Sequence, residues 1–368
     1  NLYADGITTS GSDENTIFLE FRKYKALKDY YAYGVKQQFE SETDATKKAE
    51  LKKKIEAMSE EISEKKKSII DSYPNSFVSK LFNLDIEVPM VKVPTGLEGE
   101  SARMYKYVWI RNHFFDNVDF TEVGLLRTSS LVPKIHSYFD KYGPRDIDTA
   151  IAMADKLLSK IESEAGLETY KTAVHAVTTY FERSKRMCYD KGLWHMASNY
   201  FCKGKATWAS ADHIAKTCAF SKQKNATLCG RKVPDINMPD TSFDTRSRLY
   251  DVDKAVTVLI FWDIDCLHCT MEMPQISATY DTLDKTNFEV YAVYTKKDYA
   301  GWKKRVAKEK FNFINVANVH EDDSYNDEYN IVALPAIFVL DKDKNIVFKD
   351  ISASDIPRIV DYLVKEQE

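Results

Sequence analysis

Cys266 and Cys269 form a Cys-x-x-Cys pair between an apolar run and a segment with helical spacing. The apolar run, residues 256–262, has the composition of a buried strand. At the start of a helix, unpaired backbone N–H groups and the helix dipole favour a thiolate. Because two residues three apart share one helix face, the sequence predicts a redox-active dithiol. Cys266 would be its exposed nucleophile, and Cys269 its more buried resolving thiol.

His268 lies between the two cysteines. An imidazolium at this place would stabilise the thiolate and make the dithiol couple more oxidising. The alternative is an exposed helix residue without a redox role. Metal binding by Cys266, His268 and Cys269 is not expected, because three ligands on one short turn lack the spacing of a zinc site.

Residues 230–368 resemble the thioredoxin fold. The spacing Trp262-x-x-x-Cys266-x-x-Cys269 matches the thioredoxin pattern, with Trp262 as a site-shaping residue. Pro274, five residues after the second cysteine, matches the proline that kinks the active-site helix of that fold. The resemblance implies a central mixed sheet with helices on both faces.

Leu334 and Pro335 directly precede the strand-like run 336–340. The resemblance implies a cis-proline loop at this position, facing the dithiol. The backbone of Leu334 would then be free to pair with an extended segment of a substrate. An ordinary trans proline at the start of a strand is the alternative.

Glu272 and Ile260 make the chain similar to the TlpA and ResA group of extracytoplasmic thiol-disulfide oxidoreductases. Ile260 stands where thioredoxin has a buried aspartate, whereas Glu272 completes the pattern Cys-x-x-Cys-x-x-Glu-x-Pro. A carboxylate one helical turn after Cys269 can accept the proton of the resolving thiol. A surface glutamate on an amphipathic helix is the alternative.

This resemblance implies an enzyme that acts on protein thiols and disulfides and receives electrons from an upstream thiol-disulfide donor. It implies no cofactor besides the redox-active disulfide of Cys266 and Cys269. Glu272 favours a reductase or isomerase over an oxidase, although His268 points the other way. A peroxiredoxin is not expected, since the residues before Cys266 lack the pattern Pro-x-x-x-Thr-x-x-Cys. The rival hypothesis is a partner-binding envelope protein whose thioredoxin-like domain is mainly a scaffold.

Four further cysteines complete an even set of six, which suits an oxidising compartment. They lie where the helical part passes into the thioredoxin-like part, and two disulfides among them have three possible pairings. Buried free thiols and a second redox relay to Cys266 are the alternatives. The four are Cys188, Cys202, Cys218 and Cys229.

The composition excludes two classes of protein. The 368 residues carry a net charge of -4, which gives no electrostatic reason to expect nucleic acid. The chain also has no apolar run of the roughly 18 residues that a membrane helix needs. Because it begins at Asn1 without a methionine or a signal peptide, we expect a processed chain or a piece of a longer one. Its expected location is the periplasm or cell envelope, with an anchor ahead of Asn1 left open.

The periodicity divides the chain into a mainly α-helical N-terminal part and a C-terminal α/β part. We predict a helical hairpin region at 1–90, an α-helical domain at 91–225 and the thioredoxin-like domain at 226–368. Residues 1–14 resemble the tail of a strand and a turn from a missing β-domain. The general layout resembles that of Bacteroidetes envelope proteins of the thioredoxin family. In the last domain, strands are predicted at 255–262, 288–294, 336–341 and 345–349, and helices at 268–284, 298–310 and 354–366.

Overall fold

The computed structural model describes residues 7–89, 92–144, 146–319 and 325–367. The chain divides into two compact units, one made of residues 1–144 and 152–177, the other of 145–151 and 178–368. The sequence analysis divides the chain into three regions, with boundaries at residues 90 and 225, and that division stays a prediction.

The N-terminal half is helical, as predicted. The long hairpin is present because Ser12 and Asp44 each cap a helix by accepting a backbone N–H three residues on. The helix Leu131–Tyr142 and the short helix Phe77–Asn83 were not predicted. The helices are α1 (Asp13–Ser41), α2 (Ala45–Ser72), α3 (Phe77–Asn83), α4 (Gly99–His113), α5 (Leu131–Tyr142), α6 (Ile147–Glu164) and α7 (Leu167–Arg183).

Most of the strand and turn predicted for residues 1–14 cannot be compared with the structure, since residues 1–6 lie outside the described residues. Residues 7–10 form neither a strand nor a helix. Asp13 and Glu14 were expected to end the strand and turn, but they form the first residues of α1, because Ser12 caps that helix.

Two disulfides lie in the second unit. Cys188 is bonded to Cys229, and Cys202 to Cys218, which is one of the three pairings left open by the sequence. In the second disulfide, Cys202 directly follows a π-helical turn, and Cys218 lies in the next long helix. The helices of this stretch are α8 (Asp190–Met196), continued by the π-helical turn Ala197–Phe201, and α9 (Ala211–Lys224).

The C-terminal domain is built on a five-stranded mixed sheet with the strand order β5-β4-β3-β6-β7. Its central strand β3 is buried at all seven residues and runs parallel to β4 and antiparallel to β6. A separate two-stranded ribbon joins β1 and β2. The strands are β1 (Asn237–Pro239), β2 (Arg246–Arg248), β3 (Val256–Trp262), β4 (Phe288–Tyr294), β5 (Ile314–Ala317), β6 (Ala336–Leu340) and β7 (Ile346–Lys349).

Residues of β3 alternate between two apolar clusters, one on each face of the sheet. Ile260 and Trp262 pack into the cluster that also contains Cys269, whereas Leu259 and Phe261 pack into the other. This central mixed sheet covered on both faces confirms the predicted fold class. The helices of the domain are α10 (Leu267–Thr282), α11 (Tyr299–Glu309), α12 (Asn326–Tyr329) and α13 (Ile356–Gln367).

The sequence analysis missed the edge strand β5. It pairs in parallel with the last four residues of β4, from Tyr291 to Tyr294. Ile314–Ala317 is only four residues long and contains an asparagine, so neither its length nor its alternation marks it as a strand. With β5 present, the parallel half of the sheet has three strands.

Candidate redox site

Cys266 is the residue that caps α10, at the point where the chain leaves β3. Its backbone is extended, with φ -78° and ψ 118°, and its Sγ accepts the N–H of Cys269 at 3.2 Å. Its thiol in turn donates to the carbonyl oxygen of Leu334 at 3.4 Å. The sulfur therefore receives one of the N–H groups at the start of the helix and also contacts the loop before β6.

Cys269 lies one turn further along α10 and is 1% exposed. It packs in the same apolar cluster as Trp262 and Met273. Burial, reinforced by the neighbouring Cys266 thiol, raises the pKa of Cys269 to about 12. Both cysteines are free thiols, and Cys266 is the more exposed of the two.

The peptide bond between Leu334 and Pro335 is cis, as the resemblance implied. The hydrogen bond from Cys266 to the Leu334 carbonyl brings this loop directly against the first thiol. The loop enters the sheet at Ala336, whose strand β6 lies beside β3. The cysteine pair and the cis-proline loop are therefore held by two adjacent strands, β3 and β6.

Glu272 is half-buried on α10, and its carboxylate has a partner that the sequence did not indicate. Its Oε2 accepts the backbone N–H of Ala353 at 2.5 Å. Ala353 starts the short 3-10 turn that leads into α13. The bond thus ties the active-site helix to the loop before the last helix.

The other predicted site residues fall into buried and exposed positions. Trp262 is 2% exposed and packs against Tyr294 and Phe311, so its ring does not face solvent, and its site-shaping role stays a prediction. Pro274 lies inside α10. His268 is exposed at the start of that helix.

Sequence reasoning missed Asp263, which follows β3 directly and is 5% exposed. It also missed three exposed apolar residues, here called the apolar rim, namely Leu267 and Met271 on α10 and Val332 two residues before Leu334. The signal for Asp263 was its place between Trp262 and Cys266, where a charged residue so close to a buried strand is uncommon.

The two kinds of cysteine pair lie on opposite faces of the sheet. Cys266 and Cys269 contact the cluster on one face, and Cys188 and Cys229 contact the cluster on the other. The sheet therefore separates the dithiol from the nearer disulfide. No group of side chains suited to a metal ion occurs among the described residues.

The fold and the dithiol together define a thioredoxin-like protein of the thiol-disulfide oxidoreductase class. Residues 229–349 match the model of the AhpC/TSA family. Residues 42–210 match a domain of unknown function, DUF5106. The chain has no match among the curated proteins.

Some solved structures resemble most of the chain, and others resemble little more than a third of it. A thioredoxin-like protein from Bacteroides caccae is 15% identical, with 76% of this chain and 98% of that chain covered and a TM-score of 0.55. A domain of a possible thiol-disulfide isomerase from Cytophaga hutchinsonii is 30% identical, with 38% and 95% covered and a TM-score of 0.36. The thioredoxin domain of a thiol-disulfide oxidoreductase from Bacteroides vulgatus is 27% identical, with 37% and 98% covered and a TM-score of 0.35. The first of these shows a common fold over most of the chain.

Among the residues that the structure describes, no helix is both long enough and apolar enough to cross a membrane.

Proposed function

We propose that the protein is an extracytoplasmic thiol-disulfide oxidoreductase that reduces or isomerises disulfides of other proteins. The observation that carries the proposal is the geometry at Cys266. Its sulfur caps α10 and also contacts the carbonyl of Leu334 beside a cis proline, while Cys269 lies one turn deeper. This arrangement offers one accessible nucleophile and one protected thiol.

The reaction starts when the Cys266 thiolate attacks one sulfur of a substrate disulfide. The substrate S–S bond breaks, a mixed disulfide forms with Cys266, and the released substrate thiolate takes a proton from solvent. Cys269 then loses its proton to Glu272, the proposed acceptor, and attacks the Cys266 sulfur. The second substrate thiolate leaves, so two electrons pass to the substrate and Cys266 and Cys269 end as a disulfide.

A second protein thiol must reduce that disulfide before the next turnover. We propose an upstream thiol-disulfide donor for this step, and no cofactor besides the cysteine pair. The Leu334 backbone is the proposed docking element, since its carbonyl already contacts Cys266 at 3.4 Å. An extended substrate segment can pair with a free backbone edge at that point.

One observation supports the periplasm or cell envelope as the location. The structure holds the disulfides Cys188–Cys229 and Cys202–Cys218, which persist in oxidising compartments. A reductase in such a compartment needs a supply of electrons from outside it, which fits the proposed donor.

Peroxidase chemistry is the second function that the family match raises. A peroxiredoxin pattern would place proline and threonine where this chain has Leu259 and Asp263. Leu259 is fully buried in β3, and Asp263 offers a carboxylate where a hydroxyl is required. The residues before Cys266 therefore favour thiol exchange.

Disulfide reduction of insulin tests the proposal. We expect turnover with the reduced protein and an external thiol, and its loss in Cys266→Ser. Cys269→Ser should instead accumulate a mixed disulfide between Cys266 and insulin, visible by mass. A Cys266→Ser variant as active as the unchanged protein would leave the scaffold hypothesis in place of an enzyme.

A further inference from the structure

Asp263 is a buried acidic residue that the proposed reaction does not use. It follows Trp262 at the end of β3 and is 5% exposed. A carboxylate rarely stays so buried without a specific partner or a function. Its position between the central strand and the dithiol makes it the nearest such group to the redox site in sequence.

The contacts of Asp263 hold the turn that carries Cys266. Its Oδ1 accepts the backbone N–H of Asp265 at 3.0 Å. Its backbone carbonyl oxygen lies 3.4 Å from the N–H of Cys266, which donates to it. Its Oδ2 is 4.0 Å from the ammonium of Lys296, a side chain that is 62% exposed.

Asp263 also faces Cys269. Its backbone N–H contacts the Cys269 thiol, which favours the thiolate, while its carboxylate charge opposes it. The largest cause of the raised pKa of Cys269 remains burial, followed by the contact with Cys266. The titratable groups around Asp263 are Asp265, Cys266, Cys269, Tyr294, Lys296 and Tyr325, with Asp298 beyond Tyr294.

We propose that Asp263 is a positioning residue for the resolving thiol: it holds the turn before Cys266, and its carboxylate slows the attack of Cys269 on the mixed disulfide. The proposal rests on the dithiol exchange described above. While Cys266 is free, its thiol and its charge also oppose ionisation of Cys269. Both effects end when Cys266 is bound to substrate, and the charge of Asp263 then limits how fast Cys269 attacks.

Lys296 reduces the effect of the Asp263 charge on Cys269. At 4.0 Å, an ammonium partly offsets the carboxylate, because opposite charges at this distance still attract near a protein surface. Removing the Asp263 charge should therefore speed the resolving step, and removing the Lys296 charge should slow it. A purely structural role for Asp263 predicts a slower step or no effect when Asp263 is replaced, and no effect when the exposed Lys296 is replaced.

The aromatic disulfide DTNB separates the two steps on the intact reduced protein. Attack by Cys266 releases one coloured thiolate, and attack by Cys269 on the resulting mixed disulfide releases a second. In Asp263→Asn, which keeps an oxygen to accept the Asp265 N–H, we expect the second release to be about threefold faster at neutral pH. A lower pKa of Cys269 gives more thiolate at neutral pH, and the lower nucleophilicity of that thiolate removes part of the gain.

Lys296→Gln should slow the second release by about twofold. Its matched control is Lys297→Gln at the exposed neighbouring lysine, and Asp265→Asn is the control for an exposed charge in the same turn. Both controls should leave the second release unchanged.

An unchanged or slower second release in Asp263→Asn overturns the inference. If Asp263→Asn does not fold, an unchanged rate of the second release in Lys296→Gln overturns the inference as well. These results would leave the proposed function intact. Absence of any coloured thiolate from the unchanged protein would instead contradict the dithiol exchange.

Discussion

At the residue scale, the two thiols of the site differ in what surrounds their sulfur atoms. Cys266 sits at the helix end, with an N–H pointed at its sulfur, whereas Cys269 lies in an apolar cluster. Burial raises the pKa of Cys269, so at neutral pH this thiol is protonated and must lose its proton before it attacks. The asymmetry supports the proposed order of events, with attack at Cys266 first and resolution second.

Glu272 combines a structural contact with its proposed role as proton acceptor, and two substitutions separate them. Glu272→Gln keeps an oxygen for the Ala353 N–H, so we expect a stability loss below about 1 kcal/mol. The same variant has no carboxylate to take a proton, and it should slow the resolving step by about tenfold or more. Stopped-flow release of the second thiolate from DTNB measures the rate, and urea unfolding measures the stability.

Glu272→Ala is the matched comparison. It leaves the Ala353 N–H without its acceptor and should cost about 1–3 kcal/mol more than the glutamine variant. Equal resolving rates in Glu272→Gln and in the unchanged protein would restrict Glu272 to the contact between α10 and the loop before α13.

At the scale of elements, the sequence was most informative where a strand or helix is long and its pattern regular. The bounds of β3 and β4 and the position of the cis proline at Pro335 followed from apolar runs and the thioredoxin pattern. The four-residue strand β5 did not, because so short a segment carries no periodicity.

Contacts between residues distant in sequence were beyond sequence reasoning. Ala353, the hydrogen-bond partner of Glu272, is 81 residues away, and the sequence of neither segment indicates this contact. The same holds for the choice among three disulfide pairings, which depends on where α8 and α9 place their cysteines. The burial of Asp263 likewise depends on the packing of a whole domain and not on its neighbours in the chain.

The apolar rim beside the dithiol is a joint feature of α10 and the loop before β6. Leu267 and Met271 lie four residues apart on one face of α10 and are 72% and 51% exposed, and Val332 is 80% exposed. Exposed apolar side chains next to a nucleophile can bury against a protein substrate but not against a small disulfide. The rim should therefore affect KM for proteins only.

We expect Leu267→Gln combined with Val332→Ser to raise KM for insulin by about tenfold, since each lost apolar contact costs up to about 1.5 kcal/mol. The rate with DTNB should stay within twofold of the unchanged protein, roughly the effect of a surface change. Matched controls are Leu167→Gln and Val123→Ser, whose side chains are 54% and 57% exposed elsewhere in the chain. A similar rise in KM from the control pair would show that general surface polarity, and not the rim, is responsible.

At the scale of the whole molecule, the second unit combines a reactive dithiol with two structural disulfides. Cys188–Cys229 lies beside Lys349, which is 5% exposed, donates to the Thr227 carbonyl at 2.9 Å and pairs with Asp190. These contacts join β7 to α8 on the sheet face opposite the dithiol. The disulfide Cys188–Cys229 and the proposed redox pair thus lie on different faces of one sheet.

Removal of each disulfide should lower stability, and the loss should be larger for the disulfide that closes the longer loop. The sequence separations are 41 for Cys188–Cys229 and 16 for Cys202–Cys218, so the chain-entropy model gives losses of about 4 and about 3 kcal/mol. We therefore expect the double serine variant of the first pair to unfold at lower urea than that of the second. Because the sheet separates Cys188–Cys229 from Cys266, and neither Cys202 nor Cys218 belongs to the apolar cluster around the dithiol, both folded variants should still reduce insulin. Loss of turnover in either would mean that a disulfide relay feeds the dithiol.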